Sequence, residues 1–153
     1  MSANTRDEEL DKTVRRFVYD FTEREGWPPT VAQAAAALSA TTDEVAASFR
    51  RLAAAHMLVL QAESGEILMA PPYSAVPTPF VVESAGRSYY ANCVWDALGV
   101  PAMLRRDARV KTSCGCCGAA MTLVVADGAL AEARGVVHFA LHARRWWDDV
   151  AFT

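Results

Sequence analysis

The stretch "PPYSAVPTPF", residues 71–80, holds four prolines in ten residues. Proline fixes φ and has no backbone N–H, so neither a helix nor a central strand can run through such a segment. The chain must therefore fold as two stretches, with 71–79 as a linker or a stiff wrapping segment between them. The two stretches differ in texture. Within 1–70, Leu10, Val14, Phe17, Val18 and Phe21 recur at helical spacing, which predicts a helix over 8–25 stopped by "GWPP" at 26–29. Thr30 can cap a second helix over 31–38. Thr41 or Thr42, followed by Asp43 and Glu44, opens a third that runs to about His56. "MLVLQAESGEILMA" reads as a strand, a turn at Glu63–Gly65 and a second strand. Three helices and a hairpin make a winged-helix-like module.

From residue 80 the pattern turns to strands. "FVVESAGRSYYAN" predicts a hairpin around Ala85–Gly86. A helix follows and should end near Gly99–Pro101. "ARVKTS" (108–113), "AAMTLVV" and "GVVHFALH" (135–142) read as further strands. The expected fold is α+β: a helical module packed on a mixed β-sheet core of residues 80–153, with a buried helix carrying Cys-x-x-Asp.

The charge pattern narrows the partners. Residues 1–70 carry seven Lys/Arg and eleven Asp/Glu, a net −4, and residues 71–153 carry eight and seven, a net +1. Neither half resembles a polyanion-binding surface. The third helix offers Arg50 and Arg51 but opens on two acids, where a recognition helix would enter the groove, so no nucleic-acid partner is expected. No stretch approaches the roughly 20 apolar residues of a membrane span, and the polar N-terminus has no apolar signal core. A cytoplasmic chain with its four cysteines reduced is the expectation, with no membrane partner. At 52% hydrophobic residues the chain can bury a real core.

Two features carry chemistry. In "YYANCVWDALGVPAML", residues 89–104, Asn92 is a strong N-cap residue, which puts Cys93 at the first helical position and Asp96 one turn on. A helix N-terminus lowers a thiol pKa, while a neighbouring carboxylate raises it. The pair therefore suits proton exchange better than a permanently ionised thiolate. The plain structural alternative makes Cys93 a small core hydrophobe and Asp96 an N-terminal helix charge. The second feature is "SCGCCGA", where Cys114 and Cys117 form one C-x-x-C around Cys116. A closed zinc site needs four ligands and usually two such pairs, so zinc here would require Cys93 as the fourth. A loop of reduced thiols with affinity for soft metals is the alternative. His138 and His142 lie too far apart on a strand to chelate one ion, and Trp146 and Trp147 read as core or lid aromatics.

"YYANCVWDALGVPAML" followed by "ARVKTSCGCCGAAMTL" resembles the central region of organomercurial (alkylmercury) lyases, and "HFALHARRWWDDVAFT" resembles the stretch leading into that family's second active-site cysteine. The resemblance implies a winged-helix-like region ahead of a mixed α/β core. It implies protonolysis of carbon–mercury bonds to a hydrocarbon and Hg(II), with no organic cofactor and with low-molecular-weight thiols removing the product. Cys93 matches the first mercury-binding cysteine, Asp96 the proton-transferring aspartate and Cys114 a structural cysteine. Cys116 and Cys117 fall where many members have other residues. By this alignment the second mercury-binding cysteine falls just past Thr153, as in a C-terminally truncated member. The expectation is then capture through Cys93 and slow cleavage, unless Cys116 or Cys117 supplies the second thiol. Two rivals remain: a non-catalytic soft-metal (Hg or Zn) protein using Cys93, Cys114, Cys116 and Cys117, and a winged-helix metal-responsive regulator.

Overall fold

The computed structural model describes residues 3–139, 141–148 and 150 and, from Thr5 onward, their side chains. Helix α1 (Ala3–Glu25) presents Val14 and Val18, both fully buried, to α2 (Val31–Leu38) and α3 (Thr42–Ala54). Thr30 and Thr41 each close a capping box, with Gln33 and Glu44 reaching back to the cap backbone. Each box satisfies N–H groups that an uncapped helix start leaves orphaned. Ala34, Ala35, Val45, Phe49 and Leu52 complete this first core. It continues into a small antiparallel sheet of β1 (Val59–Leu60), β2 (Ile67–Ala70) and β3 (Tyr73–Ser74).

The proline-rich segment is part of that sheet. Tyr73 and Ser74 pair with Ala70 and Met69, and Tyr73 also bridges to Ala91. The second sheet has the order β5-β4-β6-β7-β8, built from β4 (Val81–Ser84), β5 (Arg87–Tyr90), β6 (Ala108–Ser113), β7 (Ala120–Ala126) and β8 (Ala129–Glu132). Among the described residues every strand pairing is antiparallel, so the core sheet is not the mixed one expected from the sequence. Hairpins join β4 to β5, β6 to β7 and β7 to β8, while the helix that follows β5 carries the chain past β4 to β6, which pairs with the other edge of β4. Ala85 and Gly86, both at positive φ, form the expected β4–β5 turn.

Helix α4 (Val94–Leu104) crosses this sheet and buries Ala97, Val100 and Pro101. It is one-sided rather than buried all round: Trp95 remains 64% exposed. It also runs past the expected stop at Gly99–Pro101. Pro101 forfeits one helical hydrogen bond, but its ring packs inward and its carbonyl accepts the N–H groups of Arg105 and Arg106. The segment 135–139, expected as a strand, is irregular and Val136 is 94% exposed; Ala140 lies outside the described residues. The sheet edge is instead taken by "ALAE" of β8. All four of its residues are exposed, and none is β-branched, so no strand signal marked it.

Helix α1 also belongs to the second half. The Tyr89 hydroxyl donates to the Glu23 carbonyl at 2.9 Å, and the Tyr19 hydroxyl to the Pro71 carbonyl at 2.9 Å. Gly26 ends the helix at φ +95, where an added Cβ would stand 2.9 Å from the Ser88 carbonyl oxygen. Both the backbone conformation and the close approach of β5 demand glycine. Gly26→Ala is therefore expected to destabilise the protein by about 1–3 kcal/mol, the usual effect of overpacking. Urea unfolding reads this directly, and an unchanged midpoint would mean that α1 and β5 do not meet so closely.

Candidate active site

The end of β5 delivers the chain to the N-terminus of α4. Ala91 is fixed by its N–H to the Phe80 carbonyl and by its own carbonyl, which accepts the Thr78 hydroxyl at 2.6 Å. The helix then starts one residue later than the sequence suggests. Cys93 is the N-cap, with extended backbone angles of φ −150 and ψ −178, and its carbonyl accepts the Ala97 N–H at 2.9 Å. Asn92 stands just outside the helix. Its side chain reaches forward: Nδ2 donates to Asp96 Oδ2 at 2.9 Å and, more weakly, to the Tyr73 carbonyl at 3.4 Å. Its Oδ1 is buried with no hydrogen-bond partner among the described residues.

This displacement brings Cys93 and Asp96 together on the first turn. Burial is the largest influence on the Cys93 thiol and pushes its pKa up. The backbone N–H groups of Asp96 and Trp95 face the sulfur and pull the other way, but neither makes a capping hydrogen bond. The Asp96 charge, and the S–H bond donated to it, raise the thiol further. The Asp96 carboxyl is itself raised, again chiefly by burial; the hydrogen bonds from Asn92 and Cys93 only partly offset that. The helix terminus thus loses to desolvation, and the resting pair is a thiol donating to a carboxylate.

Both side chains open into a cavity of about 150 Å³. Met69, Pro71, Trp95, Phe139, Trp146 and Trp147 form its apolar walls. Two of these come from the 3₁₀ turn Ala143–Asp148. Trp146 is set by a hydrogen bond from Nε1 to the Leu141 carbonyl, 3.1 Å, and by contact with the Phe139 ring. Trp147 stacks on His56 of the helical module, with ring centroids 4.3 Å apart. The sequence marked Trp146 and Trp147 as core or lid aromatics. It did not mark Phe139, His56 or the Asn92–Asp96 contact, because these depend on how distant segments meet.

The remaining cysteines stand elsewhere. Cys114, half-buried, and the exposed Cys116 and Cys117 occupy the loop between β6 and β7. None of them lines the cavity. Among the described residues no group of three or more His, Cys, Asp or Glu side chains could hold a metal ion, so Cys93 does not complete a four-thiolate set with the loop. His138 and His142 are exposed, on irregular chain rather than on the strand expected for them.

The profile of the MerB alkylmercury lyase family matches residues 73–153. Among solved structures, the chain is similar to the mercury-bound form of MerB2, at 24% identity and a TM-score of 0.62; the match covers 83% of this chain and 65% of that one. The chain thus spans just under two-thirds of that relative's length. No curated protein matches it.

Asp96 gives the site a pH signature. Its carboxyl pKa is higher in the folded than in the unfolded chain, so the folded state holds the proton more tightly. Stability should then fall as pH rises through the window between the ordinary carboxylate value and the raised one. Asp96→Asn removes the buried charge, and the variant is expected to be more stable than the parent at about pH 7. The difference should close once the pH is below the ordinary carboxylate range. The same variant should also shift alkylation of Cys93, followed by peptide mass, to lower pH. Unchanged profiles in both measurements would show that the two groups do not share a proton.

Proposed function

The chain belongs to the alkylmercury lyase family, and on that footing we propose that it cleaves carbon–mercury bonds, with Cys93 binding the metal and Asp96 carrying the proton. The observation that supports this most directly is the thiol–carboxylate pair at the wall of an otherwise apolar cavity. Mercury is soft and prefers sulfur. An organomercurial arriving as a thiol adduct, R–Hg–SR′, takes the Cys93 sulfur as a new ligand while the thiol proton passes to Asp96. Asp96 then delivers that proton to the carbon bound to mercury. The carbon–mercury bond breaks, R–H leaves, and Hg(II) stays between Cys93 and SR′. A second small thiol returns a proton to Cys93 and removes the metal as Hg(SR′)₂. In this reading the second sulfur comes from the low-molecular-weight thiol, since Cys93 alone among the four cysteines lines the cavity.

The cavity suits the organic group. An apolar space of about 150 Å³ accepts a ring the size of benzene. The aromatic walls reduce the water contact of the carboxylate, and less water there strengthens its hold on the proton. Asn92 is a positioning residue here, holding Asp96 toward the sulfur.

The helical module is read as winged-helix-like and as a structural support rather than a regulator's reading head. Its Arg51 is committed to α1, with Nε and Nη2 donating to the two oxygens of Asp11 at 2.8 and 2.7 Å. Burial raises Asp11, but the Arg51 hydrogen bonds prevail and hold its carboxyl low. A guanidinium locked in that fork is not free for phosphate. No helix among the described residues is long and apolar enough to cross a membrane, and the free thiols fit the cytoplasmic setting proposed for the chain.

The assay supplies a phenylmercury compound with excess small thiol and follows benzene. The parent is expected to capture the mercurial through Cys93 and to turn over slowly, because neither Cys116 nor Cys117 lines the cavity and the small thiol must supply the second sulfur. Asp96→Asn should bind the mercurial yet release benzene about 100-fold more slowly or worse, the usual loss of a positioned proton carrier. Cys93→Ser should lose both capture and release. Benzene release at the parent rate from either variant would remove the proposed roles.

A further inference from the structure

The β6–β7 loop holds three thiols that the proposed reaction does not use. Its geometry is tight. Ser113 pairs with Ala120 across the hairpin, the Cys114 N–H donates to the Ala119 carbonyl at 2.8 Å, and the Gly118 N–H returns to the Cys114 carbonyl at 2.8 Å. Gly118 closes the turn at φ +71, a conformation that glycine adopts without strain. This closure brings Cys114 and Cys117 side by side at the two ends of one turn. The backbone N–H groups of Cys116 and Cys117, and the Cys117 thiol, all face the Cys114 sulfur. Together they hold Cys114 toward its thiolate, below the ordinary cysteine value. Cys116, between the two, belongs to the same turn but supplies only its backbone N–H to that sulfur. The loop is exposed, and an added Cβ at Gly115 or Gly118 would meet nothing within 4 Å, so space for a ligand is open.

We infer that Cys114 and Cys117 form a second thiolate site, separate from Cys93, that binds a soft cation of the Hg(II) type between two sulfurs. Each sulfur donates an electron pair to the metal and each thiol proton is released to solvent, with no change of oxidation state. Two ligands suffice for such a cation, which is why a pair can serve where a closed four-thiolate zinc site cannot form. The site lies at the same end of the large sheet as the cavity. Residues 81, 90 and 111 are level across β4, β5 and β6, and the chain leaves that end towards Cys93 on one strand and Cys114 on another.

The inference does not rest on the lyase reading, and its test uses inorganic Hg(II) and a chain without Cys93. Titrate reduced Cys93→Ser with mercuric chloride against a fixed monothiol competitor, following the ultraviolet band of the mercury–thiolate bond. One equivalent is expected to bind ahead of the competitor. Adding Cys117→Ser, an exposed position that does not support the fold, should weaken this binding by about 100-fold or more, because a chelating pair becomes a single thiol. Cys114→Ser should do the same, and Cys116→Ser should leave the affinity as it was. Equal loss in the Cys116→Ser and Cys117→Ser chains would overturn the pairing, as would parent affinity in Cys117→Ser. Failure of Cys93→Ser to bind the equivalent at all would overturn the site.

Discussion

Tyr73 is the residue on which the two halves of the molecule meet. It pairs with Ala70 in the small sheet, bridges to Ala91 beside the large one, and is 1% exposed. Its ring packs against Tyr89 at 5.4 Å and Tyr19 at 6.4 Å, so α1, β3 and β5 share one aromatic cluster. Burying Tyr73 and Tyr89, with Tyr19 partly buried against them, is a large hydrophobic contribution for a small domain. Burial also pushes the Tyr73 hydroxyl pKa far up, and this hydroxyl finds no partner among the described residues. An unpaired buried hydroxyl costs about 1–3 kcal/mol, which the surrounding packing must exceed. The gain is positional: the Tyr73 carbonyl holds Asn92, and Asn92 holds Asp96. The small sheet therefore reaches the chemistry through two hydrogen bonds.

At Cys93 two physical effects compete, and the outcome decides what the site can do. A helix N-terminus stabilises a thiolate, but its influence is limited to the first turn and weakens where water can screen it. Burial in an apolar cavity and a carboxylate in contact favour the thiol, and here they prevail. A thiolate fixed in advance would bind mercury but would have no proton to give. In the proposed reaction a thiol that ionises only as it binds metal releases its proton next to Asp96. The same burial that makes Asp96 a poor charge favours its protonated form, as the proposed role requires.

Much of this was legible in the sequence, and the failures share a cause. The helix α2 bounds, the Thr30 and Thr41 caps, the Ala85–Gly86 turn and the strand 108–113 follow from local patterns and appear as expected. Cys93 and Asp96 were also visible, because their spacing on one helical turn is a local property. The N-cap was placed one residue early, on Asn92, because its side chain suits a cap by type. In the fold that side chain is drawn to Asp96 instead. The stretch 135–142 has the apolar residues of a strand. Phe139, however, faces the cavity beside Trp146, a use that depends on α4 being where it is. The mixed sheet had no pairing signal in the residues behind it, and the pairings are all antiparallel among the described residues.

The walls of the cavity show why the helical half matters to the other. Met69 and Pro71 come from the small sheet and its exit, Trp146 and Trp147 from a turn some seventy-five residues later. Trp147 is 42% exposed, so burial alone does not fix it. What backs it is His56, held at a positive φ of 59 just past the end of α3. A residue without glycine's freedom adopts that conformation only where its surroundings enforce it. Here the enforcement comes from the first core, through the Met57 N–H bonded to the Leu52 carbonyl and the fully packed Leu58 that follows. The helical module thus supplies one face of the stack whose other ring, Trp147, lines the cavity beside Cys93. Its packing and the shape of the cavity are parts of one structural problem.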